Sequence, residues 1–256
     1  MYSKITSQTW LLNTAQKFET IPIDIRAPKP GSLSQLRQWG ILYNEVYAEE
    51  TGELVAALVP KGNNLEQLWQ QLVLSFPQHG LWPVATNGLN GDIKRPWQSG
   101  ELDGKQQARS GPLRFFQREN SKFAALATGT SNGNVHMLNP LELGQTFAAL
   151  VIVPVTRPAD APAAVGWTGA INYDYSGADI STVLRSWEDR YGAVLMSLDF
   201  DFLTLQVAKP PTPNSDVDLL AQEHELFCPD NIHQGILDIE EYKQTLYESL
   251  WGFWWD

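Results

Sequence analysis

The stretch TFAALVIVPV, residues 146–155, decides the fold class of this sequence. It is almost continuously apolar and rich in β-branched side chains, which indicates a buried strand. An amphipathic helix follows, because apolar residues recur at helical spacing from Ile180 to Tyr191. Asp179 can cap its start and Gly192 can end it. The C-terminal half therefore begins with a strand and a helix.

Further strand and helix patterns follow this first unit. Residues 193–208, AVLMSLDFDFLTLQVA, form two alternating arms that predict a β-hairpin. Helical stripes begin at Val217 and Ile239, and the final WGFWWD is typical of a strand. The order β-α-β-β-α-(α)-β predicts an α+β fold. We expect a C-terminal split βαβ (ferredoxin-like) antiparallel sheet with helices on one face.

The N-terminal half predicts a smaller α+β region. Residues 41–59 indicate a β-hairpin around the turn-like EETGE, and residues 65–76 carry an apolar stripe at helical spacing. Residues 87–120 are polar and rich in turn-forming side chains, which predicts a long loop. We expect two regions: 1–145, which contains the loop, and 146–256, the C-terminal domain.

The charge of the chain is unevenly distributed. Residues 1–150 carry 13 Lys and Arg and 12 Asp and Glu, whereas residues 151–256 carry 5 and 17. An acidic half repels phosphate backbones, so we expect no binding of nucleic acid. It suits a basic protein partner, although acidity also serves solubility. The basic cluster in residues 94–118 is interspersed with acidic side chains and is typical of a solvated loop.

The sequence lacks the motifs that are typical of several classes of protein. No apolar run approaches the ~18 residues of a membrane span, and the first residues do not resemble a secretory signal. One cysteine cannot form an internal disulfide or a cysteine-rich zinc site. No phosphate-binding or dinucleotide-binding motif is present, so we expect no cofactor. These features favour a soluble cytoplasmic protein.

The segment EHELFCPDNIHQG, residues 223–235, contains the single cysteine. Catalysis by cysteine needs a thiolate, a base within hydrogen-bond reach and a group that orients the base. Cys228, His224 and Asp230 are the candidates for these roles. Pro229 disfavours helical backbone at the residue before it, so we expect the helix to end there and the thiol and imidazole to be out of line. A structural role for both is favoured.

Two other features of the C-terminal part each have more than one interpretation. His233 adds a third possible ligand near Glu223 and His224, but the spacing matches no known metal site, so we expect none. The final aromatic residues, Trp251 to Trp255, are either a strand packed on the helices or a stacking platform for a ligand or partner.

Several stretches resemble the bacterial domain-of-unknown-function family 4253. They are RPADAPAAVGWTGAINYD (157–174), VLRSWEDRYGA (183–193), AQEHELFCPDNIHQG (221–235) and WGFWWD (251–256). Residues 80–102 look like the N-terminal extension of longer members, so the resemblance covers Gly80 to Asp256. His233 stands where the family pattern leads us to expect tryptophan. The candidate binding residues that the resemblance implies are Trp167, Trp187, Glu188, Asp189, Arg190, Glu223, Asn231, Gln234, Trp254 and Trp255.

The resemblance implies no reaction, cofactor or partner. The acidic second half, the aromatic terminus and the lack of a catalytic signature favour a non-enzymatic protein-interaction module, such as an immunity-like binder of a basic partner. The alternative is a small-molecule-binding protein or hydrolase-type enzyme that uses His224, Cys228 and Asp230. The two differ in whether the fold brings these groups to one open cleft.

Overall fold

A computed structural model of the chain describes residues 20–49, 51–62, 64–108, 111–130, 135–138, 147–213 and 215–256. Within these residues the chain forms an α+β fold, as the sequence predicts. Its centre is a mixed sheet of seven strands, and a second sheet consists of one antiparallel pair of strands. None of the helices among the described residues is long and apolar enough to cross a membrane.

The first half of the chain contributes three strands of the large sheet and both strands of the separate pair. In chain order its elements are β1 (Thr20–Ile23), α1 (Ser34–Gln38), β2 (Asn44–Tyr47), β3 (Leu54–Pro60), α2 (Leu65–His79), β4 (Leu81–Thr86), α3 (Pro112–Glu119) and β5 (Val135–Leu138). β2 and β3 form the predicted antiparallel hairpin. The predicted loop at 87–120 contains α3 as well as tight turns.

The second half contributes the other four strands. Its elements are β6 (Ala149–Pro154), α4 (Ala161–Val165), α5 (Gly177–Tyr191), β7 (Ala193–Leu198), β8 (Phe202–Val207), α6 (Val217–Phe227), a π-helical turn (Asn231–Ile236), α7 (Ile239–Thr245) and β9 (Leu250–Trp254). Short 3-10 turns cover Pro158–Asp160 and Ile171–Tyr173. The predicted hairpin of β7 and β8 and the final strand are confirmed.

The start of α5 differs by a few residues from the predicted one. Ser176, not Asp179, is the N-cap, and Asp179 returns the hydrogen bond from the third helical position, which makes a capping box. Gly192 ends the helix in left-handed backbone with φ 60°, as predicted. The two caps fix the ends of α5, and its last turn carries Trp187 to Arg190.

The predicted ferredoxin-like antiparallel sheet is wrong, because the sheet is mixed. The strand order is β2-β3-β6-β4-β7-β8-β9, and β4 runs parallel to β7 while the other neighbours are antiparallel. β4 pairs with β6 over its whole length, Leu81 to Thr86. The hydrophobic pattern identifies each strand but does not identify its neighbour, so β4 could not be placed between β6 and β7 from sequence. Strands from both sides of the boundary expected at 145/146 share this sheet, and the division into two regions stays a prediction.

Aromatic side chains dominate the core beneath the C-terminal strands. Trp251, Phe253 and Trp255 alternate along β9 and its end, so they share one face of the sheet. Trp187 of α5 stacks on Phe253 with ring centroids 5.2 Å apart, and Phe227 of α6 packs against the same ring. Both α5 and α6 therefore cover this face, and the aromatic terminus is buried within the fold.

Candidate functional site

The last turn of α5 and the middle of α6 are joined by a buried carboxylate. Glu223 accepts hydrogen bonds from Trp187 Nε1 at 2.8 Å and from both terminal nitrogens of Arg190 at 2.9 and 2.5 Å. The backbone N–H of Ala127 donates to it at 2.7 Å. Glu223 is fully buried, so this charge has its partners inside the protein and no oxygen is directed to solvent.

Glu188 and Asp189 connect α5 to the loop after β6 and to the N-terminal segment. Glu188 is buried and accepts from Arg157 Nε at 2.8 Å, from the Ala159 N–H at 3.0 Å and from Arg26. The exposed carboxylate of Asp189 accepts from Arg157 at 2.7 Å and from Arg26 at 2.8 Å. The whole Trp-Glu-Asp-Arg motif is thus engaged in contacts between elements of the fold.

His224 lies inside the aromatic core and not at a surface. Its ring packs against Trp187, Trp251 and Phe253, with centroids 4.6 to 4.9 Å apart. Nδ1 lies 3.0 Å from the hydroxyl of Tyr242, whereas Nε2 has no partner among the described residues. Burial holds the pKa of His224 well below its ordinary value, so the ring is neutral at physiological pH.

Cys228 is out of line with His224, as predicted from Pro229. α6 ends at Phe227, and the backbone of Cys228 is no longer helical, with φ −144°. Its thiol donates to the carbonyl of Trp254 at 2.9 Å and lies 3.4 Å from Asn231 Oδ1. Burial raises the pKa of the thiol far above its ordinary value, so no thiolate forms near neutral pH. The pair therefore lacks both the contact and the ionisation that cysteine catalysis needs.

The Pro-Asp-Asn segment holds the C-terminal strand in place. Asn231 donates to the Gly252 carbonyl at 2.7 Å and accepts from the Trp254 N–H at 3.3 Å, so its amide acts as a neighbouring strand would. Asp230 accepts from the Asp256 N–H at 2.9 Å and from Tyr173 and Gln234 at 2.6 Å each. Because β9 is the outermost strand on this side of the sheet, these contacts cover its edge.

The other tryptophans of the candidate set are also integral to the fold. Trp167 is buried, packs edge-on against Trp255 with centroids 5.5 Å apart, and donates to the Asp199 carbonyl at 2.8 Å. Trp255 donates to the Phe227 carbonyl at 3.2 Å. Trp254 points away from this core and is half-buried. A stacking platform would need open ring faces, which Trp167 and Trp255 do not offer.

Asp199 is a titratable group that lies outside the predicted site residues. It follows β7 and accepts from the Asn87 N–H at 2.5 Å and from the Thr86 hydroxyl at 3.0 Å, at the end of β4. Burial raises its pKa to about 6. The side chain therefore links the carboxyl ends of the two parallel strands, which share a single described bridge at Ala85 and Ser197.

The fold does not bring the predicted site residues to one open cleft. His224, Cys228, Asp230, Trp167 and Glu188 are each less than a tenth exposed. Their partners Tyr242, Tyr173 and Arg157 were not predicted, because contacts between residues far apart in the chain leave no local pattern. Among the described residues, no three His, Cys, Asp or Glu side chains are placed to hold a metal ion.

The surface of α6, the π-helical turn and α7 carries most of the unburied acidity of the C-terminal half. We call it the α6–α7 acidic face. Residues 216–248 contain one lysine, Lys243, and no arginine. The lysine pairs with Asp218 and Glu240 at 2.6 Å each. The exposed or half-buried acidic residues of this face are Asp216, Asp218, Glu225, Asp238, Glu240, Glu241 and Glu248.

An exposed leucine lies on the same face. Leu237 directly follows the π-helical turn, is 74% exposed, and has left-handed backbone with φ 66°. Bulky side chains seldom adopt this conformation. His233, in the π-helical turn, is exposed and lies 3.2 Å from Glu225. An apolar side chain next to the acidic Asp238 is thus presented to solvent.

Comparison with known families gives one match. The model of the family described as "Domain of unknown function (DUF4253)" matches residues 149–256. The C-terminal part of the chain is thus similar to the DUF4253 family. The match confirms the resemblance seen in the motifs over β6 to β9, whereas the resemblance of residues 80–148 stays a prediction. No curated protein and no solved structure matches the chain.

Most of the residues in the DUF4253 motifs therefore make contacts that stabilise the fold. Trp187, Arg190 and Glu223 form one buried cluster, and Asn231 and Asp230 hold β9. The family description adds no reaction or ligand to this picture.

The native thiol of Cys228 is expected to resist labelling. A maleimide or disulfide reagent at neutral pH should modify it orders of magnitude more slowly than it modifies the unfolded chain, because the side chain is buried and stays protonated. The chain in denaturant is the matched control, since it contains the same single cysteine. Rapid stoichiometric labelling of the folded protein would contradict the structural role of Cys228 and would support the hypothesis that it is catalytic.

Proposed function

We propose that this protein is a non-enzymatic protein-interaction module that binds a basic protein partner. The observation that carries the proposal is the α6–α7 acidic face, on which seven acidic residues accompany a single lysine. Complementary charge accelerates association and selects partners of opposite sign. Leu237 supplies an exposed apolar contact at the same surface, and apolar anchors within a polar rim are typical of interfaces.

The proposal includes an intracellular setting in the cytoplasm, where a single buried thiol stays reduced. An immunity-like protein that masks the basic surface of a target is one member of this class. Binding of nucleic acid is disfavoured, because the face would repel phosphates.

The enzyme alternative has less support. A catalytic site needs its groups within reach of a substrate. His224 and Cys228 have different partners, and both are at most 1% exposed. Asp230 is occupied by Asp256, Tyr173 and Gln234.

The proposal is tested by reversing one charge at a time. Glu241 is exposed and Glu225 is half-buried, and both lie on the acidic face. We expect Glu225→Lys and Glu241→Lys each to weaken binding of an oligolysine peptide, measured by calorimetry at low salt, by roughly threefold to tenfold. The loss should shrink as salt is added, because exposed charges are screened.

The control variant is Asp103→Lys, which makes the same charge change in the loop before α3. It should leave the affinity nearly unchanged. Equal losses for Asp103→Lys and Glu241→Lys would mean that the peptide responds only to overall charge, and the proposal would fail. An oligoglutamate peptide should not bind any of the variants.

A further inference from the structure

The short helix α7 is anchored to the rest of the fold by few buried side chains. Of its seven residues, Ile239 to Thr245, only Tyr242 is buried, and Leu246 directly after the helix is also buried. The chain enters α7 through Leu237, whose left-handed backbone with φ 66° is unfavourable for a bulky side chain. A segment that buries so little apolar surface opens more readily than the strands of the core.

The hydroxyl of Tyr242 joins α7 to α6 and to the π-helical turn. It lies 3.0 Å from Nδ1 of His224 and accepts a hydrogen bond from Nδ2 of Asn231 at 3.3 Å. The orientation of the Asn231 amide is fixed, because it also donates to the Gly252 carbonyl and accepts from the Trp254 N–H. The Tyr242 hydroxyl therefore donates to Nδ1, and the proton of the neutral ring is on Nε2.

The imidazole has no place for a second proton in this arrangement. A proton on Nδ1 would point at the Tyr242 hydroxyl, which already donates in the opposite direction. Nε2 has no partner among the described residues. Aromatic rings surround the rest of the imidazole, and their faces attract a cation only weakly compared with the hydration that it loses on burial. The closed structure therefore favours neutral His224.

The groups that face His224 do not change this preference. Arg190 of α5 disfavours a second positive charge, although Glu223 neutralises much of its effect. From α7 the titratable group is Tyr242, and at the end of α6 the thiol of Cys228 stays protonated. The side chains that β9 presents are aromatic rings without a titratable group.

We propose that α7 is a pH-sensitive switch, in which protonation of His224 breaks its hydrogen bond with Tyr242 and opens α7 away from the core. Tyr242 covers the side of the imidazole that carries Nδ1, so opening of α7 gives water access to this nitrogen. The open form then has the ordinary histidine pKa of about 6.5, whereas burial keeps the pKa well below this value in the closed form.

The sign of the effect follows from proton binding. Below about pH 6.5 the open form binds one proton more than the closed form, so acid increases the open population. One proton can change the opening equilibrium constant by at most about tenfold per pH unit. Because Glu240 and Glu241 lie on α7, opening would also disrupt part of the α6–α7 acidic face. That consequence rests on the proposed function, whereas the switch itself does not.

Hydrogen exchange of the full chain, followed by mass spectrometry, measures the opening without any partner. After correction for the intrinsic pH dependence of exchange, the opening equilibrium constant of residues 239–246 should rise about eightfold from pH 7 to pH 5.5. Exposed carboxylates stay ionised over this range, so they do not contribute. The amides of β6 should keep their protection. Loss of oligolysine binding in the charge-reversal variants is a different readout, so the two proposals can fail separately.

Three variants assign the effect to one histidine. His224→Asn keeps an acceptor close to the position of Nδ1 but binds no proton, so α7 should open more often at every pH and show no rise in acid. His224→Phe keeps a ring in the core and should also give no rise, which provides the test if α7 of His224→Asn is already open at pH 7. His233→Asn is the matched control, because His233 is exposed in the π-helical turn, and it should retain the eightfold rise.

Several results would overturn the switch. One is an α7 whose opening does not depend on pH in the parent chain. Another is an acid-induced rise that persists in both His224→Asn and His224→Phe, or that disappears in His233→Asn. A third is exchange of α7 only together with β6, since that would be unfolding of the whole protein and not the opening of one helix.

Discussion

Residues 149–256, produced without the rest of the chain, should not fold cooperatively. This segment is the whole of the DUF4253 match, yet β4, from residues 81–86, lies between its β6 and β7. All six side chains of β4 are buried, including Trp82, whose indole donates to the Leu195 carbonyl at 3.0 Å. Burial of each large apolar side chain contributes about 1.5–3 kcal/mol, so loss of β4 removes roughly 5 kcal/mol or more. That is comparable with the stability of a typical domain.

The measurement is a denaturant titration of the fragment, followed by tryptophan fluorescence and by circular dichroism. We expect no shared sigmoidal transition, whereas the full chain should give one. Co-production with residues 20–148 is the control, since it returns β4 and should restore the transition in a complex of the two pieces. A fragment that unfolds cooperatively alone would show that β6 to β9 suffice.

Arg190→Met should destabilise the protein by about 3–5 kcal/mol. The change leaves the Glu223 carboxylate buried with only Trp187 and the Ala127 N–H as donors, and a buried charge without its counter-ion carries a large desolvation penalty. The same substitution also removes the Arg190 hydrogen bond to the Ala127 carbonyl at 2.7 Å. Urea unfolding measures the loss.

Arg185→Met is the matched control on the same helix. Arg185 pairs with Asp160 at 2.5 Å but is 38% exposed, and such pairs contribute about 1 kcal/mol or less. The double variant Arg190→Met/Glu223→Leu should recover most of the loss, because it removes the unpaired charge. If Arg190→Met costs no more than Arg185→Met, Glu223 is not held as a buried charge by Arg190.

Local rules were sufficient for the end of α6. Pro229 restricts the backbone of the residue before it, so a helix through Cys228 could be excluded from the sequence alone. The structure has the helix end at Phe227 and the thiol directed to Trp254. The same kind of reasoning located the hairpins and the left-handed Gly192, because turns and caps depend on residues a few positions apart.

The candidate site was less predictable. The tryptophan, arginine and glutamate of the motifs could be selected as special, but whether they face a ligand or one another depends on packing. Glu223 binds Arg190 across 33 positions in the chain, and Asp230 binds Tyr173 across 57. Neither distance in sequence produces a periodic signal. The motifs therefore selected these residues, but they did not reveal that the side chains contact one another inside the fold.

The order of residues by itself determined the α+β class, most strands and helices, and the concentration of negative charge in the second half. These properties follow from propensity, periodicity and composition, which act over a few neighbouring positions. Only the tertiary structure decided that β4 enters the sheet between β6 and β7, and that His224 meets Tyr242 inside an aromatic core. Strand partners and burial are set by the packing of the whole chain, where many arrangements satisfy the same local pattern and the most completely buried one prevails.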